Sequence, residues 1–334
     1  VWGNWEVPPE GEPAEEPMIG RTAAITDPGR KRRRNEDSFV MEPPLFAIAD
    51  GMGGAQAGEV ASRLAAAALK ESGAEAGGED RIVDLIREAN RRVYDRSSSD
   101  PNTSGMGTTI TVALVEDERV AFGHVGDSRA YLIRDARMEQ LTEDHSLVNE
   151  LLKTGKLSRE EAETHPQRSV ITRALGTDPD VDVDTFSVSA QNGDLFLLCS
   201  DGLTDMVSEQ AILGVVERKR ADIDAALRAL VKEANRGGGE DNITVVAFEI
   251  SDAPLARDGD TREHVLADED TLTEADAVPV VDSTVVPAEQ VSDEDEARER
   301  RIRRRHLRRR LVAWLVLLIV VAAVLLALYL RFVR

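Results

Sequence analysis

Three short apolar runs follow one another between residues 108 and 133, and the connections between them are too short to hold a helix. The runs span 108–115, 119–125 and 128–133, and they are rich in β-branched and aromatic residues. A parallel strand pair needs a crossover of a dozen residues or more, whereas an antiparallel pair needs only a tight turn. These runs therefore predict antiparallel pairing and argue against a doubly wound parallel sheet.

The surrounding sequence predicts a globular body of class α+β over residues 20–250. Further strand-like runs lie at 45–49, 182–188, 194–199 and 243–250. Helical patterns lie between them at 57–70, 79–97, 208–218 and 222–236. No internal repeat is visible in this body.

Charge and cysteine content exclude several classes of protein. The chain has 334 residues, with 62 acidic against 41 basic side chains and a formal net charge of −21. A chain this acidic is not expected to bind nucleic acid, because phosphate contacts need clustered Lys and Arg. The one cysteine, Cys199, cannot form an internal disulfide, and its apolar surroundings LFLLCSDG predict a buried small side chain without a catalytic role.

The segments on either side of this body read as disordered. Residues 1–19 are rich in Glu and Pro and predict a disordered leader. Residues 251–297 lose all periodicity, and 251–296 hold fifteen acidic residues against two arginines, a net charge of −13. Such a segment repels itself, so we expect an acidic disordered linker.

The C-terminal residues predict a membrane anchor. Residues 311–330 contain no charge and no proline, and twenty such residues can span a bilayer as a helix. Residues 298–310 carry nine arginines, which favour a position at the inner membrane face beside anionic lipid headgroups. The expectation is a single-pass protein of the cell membrane with its globular body in the cytoplasm.

Four aspartates each stand at the end of an apolar run with a glycine beside or close to them. They are Asp50 in AIADGMGG, Asp127 in HVGDSRA, Asp201 in LCSDGLTD and Asp241 in GGGEDNIT. One aspartate beside a glycine is explained by an ordinary turn, but four such positions in one chain are less well explained by turns alone. Converging carboxylates cannot all stay ionised near neutral pH without cations, and oxygen ligands favour Mg²⁺ or Mn²⁺ over zinc.

Other metal and nucleotide motifs are matched only in part by this sequence. The five histidines form no HxxxH or CxxC partnership, which leaves a zinc site without support. The run from Asp178 to Asp184 imitates an EF-hand, but it lacks the turn glycine and the terminal Glu. Residues 53–58 have the GxxxxG spacing of a P-loop, yet Glu59 and Val60 follow instead of Lys and Ser or Thr.

Six ordered motifs together resemble the metal-dependent serine/threonine protein phosphatases, the type 2C or PPM family, and most of all its bacterial, membrane-anchored branch. The resemblance covers residues 20–250 and implies two packed, mostly antiparallel sheets with helix pairs on the outer faces, a four-layer αββα sandwich. The motifs are Gly29 to Phe39, Ala49-Asp50-Gly51-Met52-Gly53-Gly54, Gly107-Thr108-Thr109, Gly126-Asp127-Ser128-Arg129, Ser200-Asp201-Gly202 and Asp241-Asn242.

The resemblance implies a role for the residues of three of these motifs in holding two Mn²⁺ or Mg²⁺ ions. Asp50 would bridge the two ions, and the carbonyl of Gly51 would bind one of them. Asp201 and Asp241 would complete the shell of the other ion.

The same resemblance assigns roles to four further residues. Glu36 and Asp37 would act mainly through waters on the metals, and Asp127 with Asp201 would hold a weaker third ion. Arg32 would receive the substrate phosphate, although its basic neighbours in the run from Arg30 to Arg34 leave the register open, and a solvated basic patch is the alternative for them.

The implied activity is hydrolysis of phosphoserine and phosphothreonine by a metal-activated water, opposing serine/threonine kinases at the membrane. The partners would be phosphorylated proteins, those kinases included. Two alternatives stay open: a catalytically silent pseudophosphatase that serves as a membrane-tethered adaptor, and a regulatory phosphatase with one dedicated substrate. Met52 stands where eukaryotic relatives have a histidine, so the general acid is unassigned.

Residues 144–176 resemble the mobile flap near the active site of bacterial relatives, although an ordinary surface excursion has the same composition. His145 and His165, within this stretch, are interpreted as structural or surface residues.

Overall fold

The computed structural model describes residues 19–53, 57–73, 77–158, 161–162 and 165–252, with the backbone of 261–265. All of these belong to the first of two compact units, residues 1–269. The arginine-rich segment 298–310 and the apolar segment 311–330 lie outside the described residues, as do residues 1–18 of the leader. No helix in the described part combines the length and apolar character needed to cross a bilayer.

Twelve strands in this part of the chain form two sheets. They are β1 (Ile19–Asp27), β2 (Asp37–Glu42), β3 (Leu45–Met52), β4 (Gly107–Thr108), β5 (Ile110–Glu116), β6 (Arg119–Val125), β7 (Arg129–Arg134), β8 (Arg137–Gln140), β9 (Asp184–Ser189), β10 (Leu195–Cys199), β11 (Ile243–Ile250) and β12 (Thr261–Val265). One sheet has the order β12-β1-β11-β10-β7-β8, and the other has the order β2-β3-β5-β6-β9 with β4 beside β3. Every pair is antiparallel except β1 with β12.

The helices of the described residues carry ordinary end signals. Ser146, Ser208 and Asp222 each accept a hydrogen bond from a backbone N–H in the first turn that follows. The last long helix ends where Gly238 takes a positive φ of 143°. The helices are α1 (Ala57–Ser72), α2 (Gly78–Ser99), α3 (Leu147–Lys153), α4 (Asp201–Thr204), α5 (Glu209–Arg218) and α6 (Ile223–Gly237).

Three apolar layers hold these elements together. The small and branched residues of α1 and α2 pack against β3, β5 and β6 on one side, and α5 and α6 pack against β1, β10 and β11 on the other. The third layer lies between the sheets, where the ring of Phe248 stacks on Phe46 at 4.2 Å and on Phe196 at 5.2 Å between centroids. The predicted α+β fold with two antiparallel sheets and outer helices is confirmed for the described residues.

Three strands were missed in the sequence, and one lies where none was expected. β1, β2 and β8 contain no long apolar run, because Ala, Thr and charged residues occupy many of their positions. β1 begins at Ile19, the last residue of the segment 1–19 that was predicted as a leader. β12 lies inside the predicted linker 251–297, where it adds to the open edge of β1 in parallel register.

The layer between the sheets changes character along the strands. Because side chains alternate along a strand, residues two apart share a face. Phe46 and Ile48 belong to the apolar layer and Asp50 follows on their face; Val246 and Phe248 are likewise preceded by Thr244. The same exchange recurs at one end of each neighbouring strand. The polar residues on these inward faces are Thr26, Asp37, Asp50, Thr111, His124, Ser128, Ser200 and Thr244.

Candidate metal centre

Asp37 and Asp50 lie opposite each other at the polar end of this layer. They are register partners in the β2–β3 pair. One oxygen of Asp37, Oδ2, accepts hydrogen bonds across the layer from Thr244 Oγ1 at 2.6 Å and Ser200 Oγ at 3.0 Å. The other oxygen, Oδ1, is buried and has no hydrogen-bond partner. Burial raises the pKa of Asp37 to about 6, although these two hydrogen bonds oppose the rise.

Asp201 enters the site from the opposite sheet. It follows β10 and begins the single-turn helix α4. Its Oδ1 atom is also buried without a hydrogen-bond partner. Gly202 allows this turn to pack closely, since a Cβ there would come within 2.0 Å of the carbonyl oxygen of Asn242. Asp201 is therefore held against the segment that carries Asp241.

Asp241 pairs with Arg32 in this structure. Arg32 Nη2 donates to Asp241 Oδ2 at 2.6 Å, and the arginine side chain is half exposed. Burial lowers the pKa of Arg32, but the charge and hydrogen bond of Asp241, with the charges of Glu36 and Asp50, raise it overall. The predicted phosphate-binding arginine is thus within reach of the predicted metal ligands.

Asn242 fixes the loop that carries Arg32. Its side-chain Nδ2 donates to the carbonyl oxygens of Pro28 and Arg34, at 3.0 and 2.9 Å, while its Oδ1 accepts from the N–H of Glu36 at 2.8 Å. These three hydrogen bonds cross more than 200 residues of sequence. Asn242, the residue that follows Asp241, therefore holds this loop in place.

Glu36 and Gly51 lie beside the start of α1. A Cβ on Gly58 would come within 2.6 Å of Glu36 Oε2, and one on Gly51 would come within 2.5 Å of the Glu36 carbonyl oxygen. Both glycines are thus required by close packing. Burial raises the pKa of Glu36, and the charge of Arg32 opposes it. Glu36 and Gly51 thus lie close together, beside Asp50.

Asp127 is held at the end of β6 by the loop 126–128. Gly126 has a φ of 119°, and it exchanges two hydrogen bonds with His145: it donates to Nδ1 at 3.0 Å and accepts from the backbone N–H at 2.7 Å. Burial and the charge of Asp144 raise the pKa of Asp127 to about 6. His145 therefore has a structural role, as predicted.

The buried carboxylates repel one another. Burial raises the pKa of Asp50 well above its ordinary value, and the charges of Asp37, Asp201, Asp127 and Asp241 raise it further. Burial, and after it the charge of Asp127, also raises the pKa of Asp201. This interaction shows that the structure brings the five predicted aspartates into one electrostatic cluster.

The donor set of this cluster fits hard divalent cations. Its ligand atoms are oxygens, and two of them, on Asp37 and Asp201, are buried without a hydrogen-bond partner. Among the described residues no three His, Cys, Asp or Glu side chains form a closed ligand cage. One reason is that Asp241 turns to Arg32 and Asp37 to Thr244, so binding would have to exchange these partners.

Sequence reasoning missed the hydroxyl groups that hold Asp50. Thr109 N donates to the Asp50 carbonyl oxygen at 2.9 Å, Thr108 Oγ1 donates to it at 2.8 Å, and Asp50 N donates to Thr109 Oγ1 at 3.0 Å. Thr109 Oγ1 also contacts Ser128 Oγ at 2.9 Å. The available signal was the alternation of side chains, because a polar residue two positions from an inward-facing apolar one on the same strand shares its inward face.

Cys199 is fully buried, and burial raises the pKa of its thiol to about 12, which confirms an unreactive side chain.

The stretch 144–176 contains helix α3 and a series of turns. A groove of about 1080 Å³ lies between this stretch and Asp127, Asp201 and Asp205.

Comparison with known proteins agrees with this geometry. The protein phosphatase 2C family model matches residues 30–235. Serine/threonine phosphatase stp of Listeria innocua is 42% identical over 236 residues, covering 67% of this chain and 93% of the relative. Serine/threonine protein phosphatase PstP of Mycobacterium tuberculosis is 41% identical over 238 residues, 70% of this chain and 46% of the relative.

Solved structures show the same similarity. The crystal structure of the M. tuberculosis phosphatase PstP/Ppp gives a TM-score of 0.67 at 40% identity, covering 70% of this chain and all of that chain. The catalytic domain of PstP in complex with two manganese ions gives a TM-score of 0.65 at 38% identity, covering 70% and 99%. In that relative, the fold described above holds two Mn²⁺ ions.

Proposed function

Because this chain belongs to the protein phosphatase 2C family, we propose that it is a serine/threonine protein phosphatase that depends on Mn²⁺ or Mg²⁺. The observation that carries the proposal is the cluster of five aspartates at the polar end of the inter-sheet layer, with two buried carboxylate oxygens left without a partner. Leaving such groups uncompensated is costly, and divalent cations would relieve that cost.

The residues that would hold the ions fall into three groups. Asp50, the Gly51 carbonyl, Asp201 and Asp241 would hold two ions, with Glu36 and Asp37 acting mainly through waters. Asp127 with Asp201 would hold a weaker third ion. When bound, such ions polarise a phosphoryl group and lower the pKa of a water molecule toward neutrality.

Arg32 would bind and orient the substrate phosphate. Its guanidinium is planar and always charged, and it can offer two parallel N–H donors to phosphate oxygens. The side chain is half exposed beside Asp241 and so is accessible to a substrate. A cation bound by Asp241 would release Arg32 from that carboxylate, which links metal binding to phosphate binding.

The proposed setting is the inner face of the cell membrane. The apolar segment 311–330 would anchor the chain, the nine arginines of 298–310 would lie at anionic headgroups, and the phosphatase domain would face the cytoplasm. The substrates would be phosphorylated cytoplasmic proteins, serine/threonine kinases among them. This setting rests on the sequence alone.

Phosphate release from a phosphothreonine peptide tests the activity. We expect release by the purified chain with Mn²⁺, and none with EDTA or after Asp201→Ala under Mn²⁺. Circular dichroism of the variant serves as the control for folding. A folded wild-type chain that binds phosphopeptide without releasing phosphate would instead support the adaptor alternative.

A further inference from the structure

A run of five basic residues borders the metal centre. Residues 30–34 read Arg-Lys-Arg-Arg-Arg, and all five side chains are exposed. The run stands out because the whole chain carries a net charge of −21. Phosphate binding accounts for Arg32 alone and gives no role to Lys31 or Arg33.

The basic run is held rigidly against the site. Gly29 adopts a φ of 76°, and a Cβ there would lie 2.2 Å from the carbonyl oxygen of Asp241. The N–H groups of Arg30 and Lys31 both donate to the carbonyl oxygen of Gly239, at 2.7 and 3.1 Å. The position of these charges is therefore set by the same backbone that presents Asp241.

The run extends along the rim on both sides of Arg32. Toward one side, Arg30 lies against Gly239, whose Cβ would come within 2.8 Å of the arginine Cγ. Toward the other, Arg34 Nη1 is 3.9 Å from Glu59 in the first turn of α1. A peptide whose phosphate reaches Arg32 would therefore lie close to part of this run.

We propose that residues 30–34 select substrates with negatively charged residues next to the phosphorylated one, through the charges of Lys31, Arg33 and their neighbours. Adjacent Cα atoms in the run are about 3.8 Å apart, and an extended peptide advances about 3.3 Å per residue. Charges two or three residues from the phosphate thus fall within a Debye length of about 8–10 Å. This inference rests on the proposed phosphatase function and names its substrate class.

The selection acts on substrate binding. Preorganised surface charges contribute modestly one at a time, and several together give an effect of about fivefold to tenfold at low salt. Because the charges contact the flanks and leave the reacting phosphoryl group to Arg32, the effect appears in KM more than in kcat. It also declines as salt screens the charges.

The test compares two phosphothreonine peptides, one with Glu and Asp at the three positions on each side and one with Gln and Asn there. With the full chain and Mn²⁺, kcat/KM is expected to favour the acidic peptide about fivefold to tenfold at low salt, and less than twofold at 0.5 M NaCl. The double variant Lys31→Gln, Arg33→Gln is expected to lose most of this preference.

A matched variant controls for overall charge. Arg119 begins β6 and Arg137 begins β8, both at the ends of their sheets remote from Asp127, and both are exposed. The double variant Arg119→Gln, Arg137→Gln removes the same charge and is expected to retain the preference. Equal loss in both double variants would overturn the proposal, since overall charge would then explain it.

Further outcomes separate this inference from the proposed function. Hydrolysis of p-nitrophenyl phosphate, which has no flanking residues, tests the phosphatase function itself in the wild-type chain. Hydrolysis without a preference for the acidic peptide would overturn this inference alone, and no hydrolysis would overturn both. If the Lys31→Gln, Arg33→Gln variant accelerates both peptides alike, the chain's own acidic segment covers the run, and the proposal fails.

Discussion

The two ends of the inter-sheet layer are built from the same strands, but one end is apolar and stabilises the fold while the other carries the clustered aspartates. At one end Phe46, Phe196 and Phe248 stack and are fully buried, and this burial of apolar surface stabilises the fold. At the other end Asp37 and Asp50 occupy paired inward positions, where burial raises the pKa of both and the charge of Asp37 raises that of Asp50 further. Stability and function are therefore separated by only a few residues along each strand, and substitutions at the two ends should have opposite consequences.

The largest expected effect is on activity, at the polar end. Asp50→Asn keeps the shape of the side chain but removes the charge that would bridge two cations. We expect kcat/KM on a phosphothreonine peptide to fall at least about a thousandfold, or roughly 4 kcal/mol in transition-state stabilisation. Thermal unfolding in EDTA should show unchanged or higher stability, because a repelling charge is gone; a large loss of stability would contradict the comparison.

The matching experiment at the apolar end reverses the result. Phe248→Ala leaves a cavity against Phe46 and Phe196, and we expect a loss of about 3–5 kcal/mol in the free energy of unfolding. Denaturant titration measures this loss. At a temperature where the variant stays folded, its kcat should lie within about threefold of wild type, and a much larger fall would show that the two ends are coupled.

Much of this organisation follows from particular sequence features. β3 and β11 were predicted because Leu45 to Ala49 and Ile243 to Ile250 are largely apolar runs, and each has an acidic motif at one end. β1 was missed, because Ala23 and Ala24 give little hydrophobic signal even though both are fully buried. Sequence motifs placed the aspartates at strand ends, whereas their hydroxyl partners, such as Thr244, depend on pairing between distant strands.

A smaller effect is expected from those hydroxyl partners. Thr244→Val preserves the branched shape and removes the hydrogen bond to Asp37 Oδ2. Groups that orient metal ligands typically contribute 10–100-fold, and we expect a fall of about that size in activity or Mn²⁺ affinity. Thr244→Ser retains the hydroxyl and should stay close to wild type. Equal losses in both variants would indicate a packing role for the methyl group.

The smallest expected effect concerns pH in the absence of metal. The pKa of Asp37 is about 6 in the folded chain against about 3.9 unfolded. A raised pKa favours folding below about pH 4, and this contribution is lost as the pH rises through 6. In EDTA, Asp37→Asn should therefore raise the melting temperature by several degrees at pH 7.5 and by little at pH 4.5. An equal gain at both values would contradict a titrating Asp37.

Counting bound Mn²⁺ ions tests the central claim most directly, because the claim is that the polar end of the inter-sheet layer is a metal centre. Mn²⁺ titration of the full chain, followed by electron paramagnetic resonance, gives the number of ions bound. We predict at least two ions for wild type and fewer for Asp201→Ala, whose unpartnered oxygen would be a ligand. The same number in both proteins, or none in folded wild type, would contradict the account.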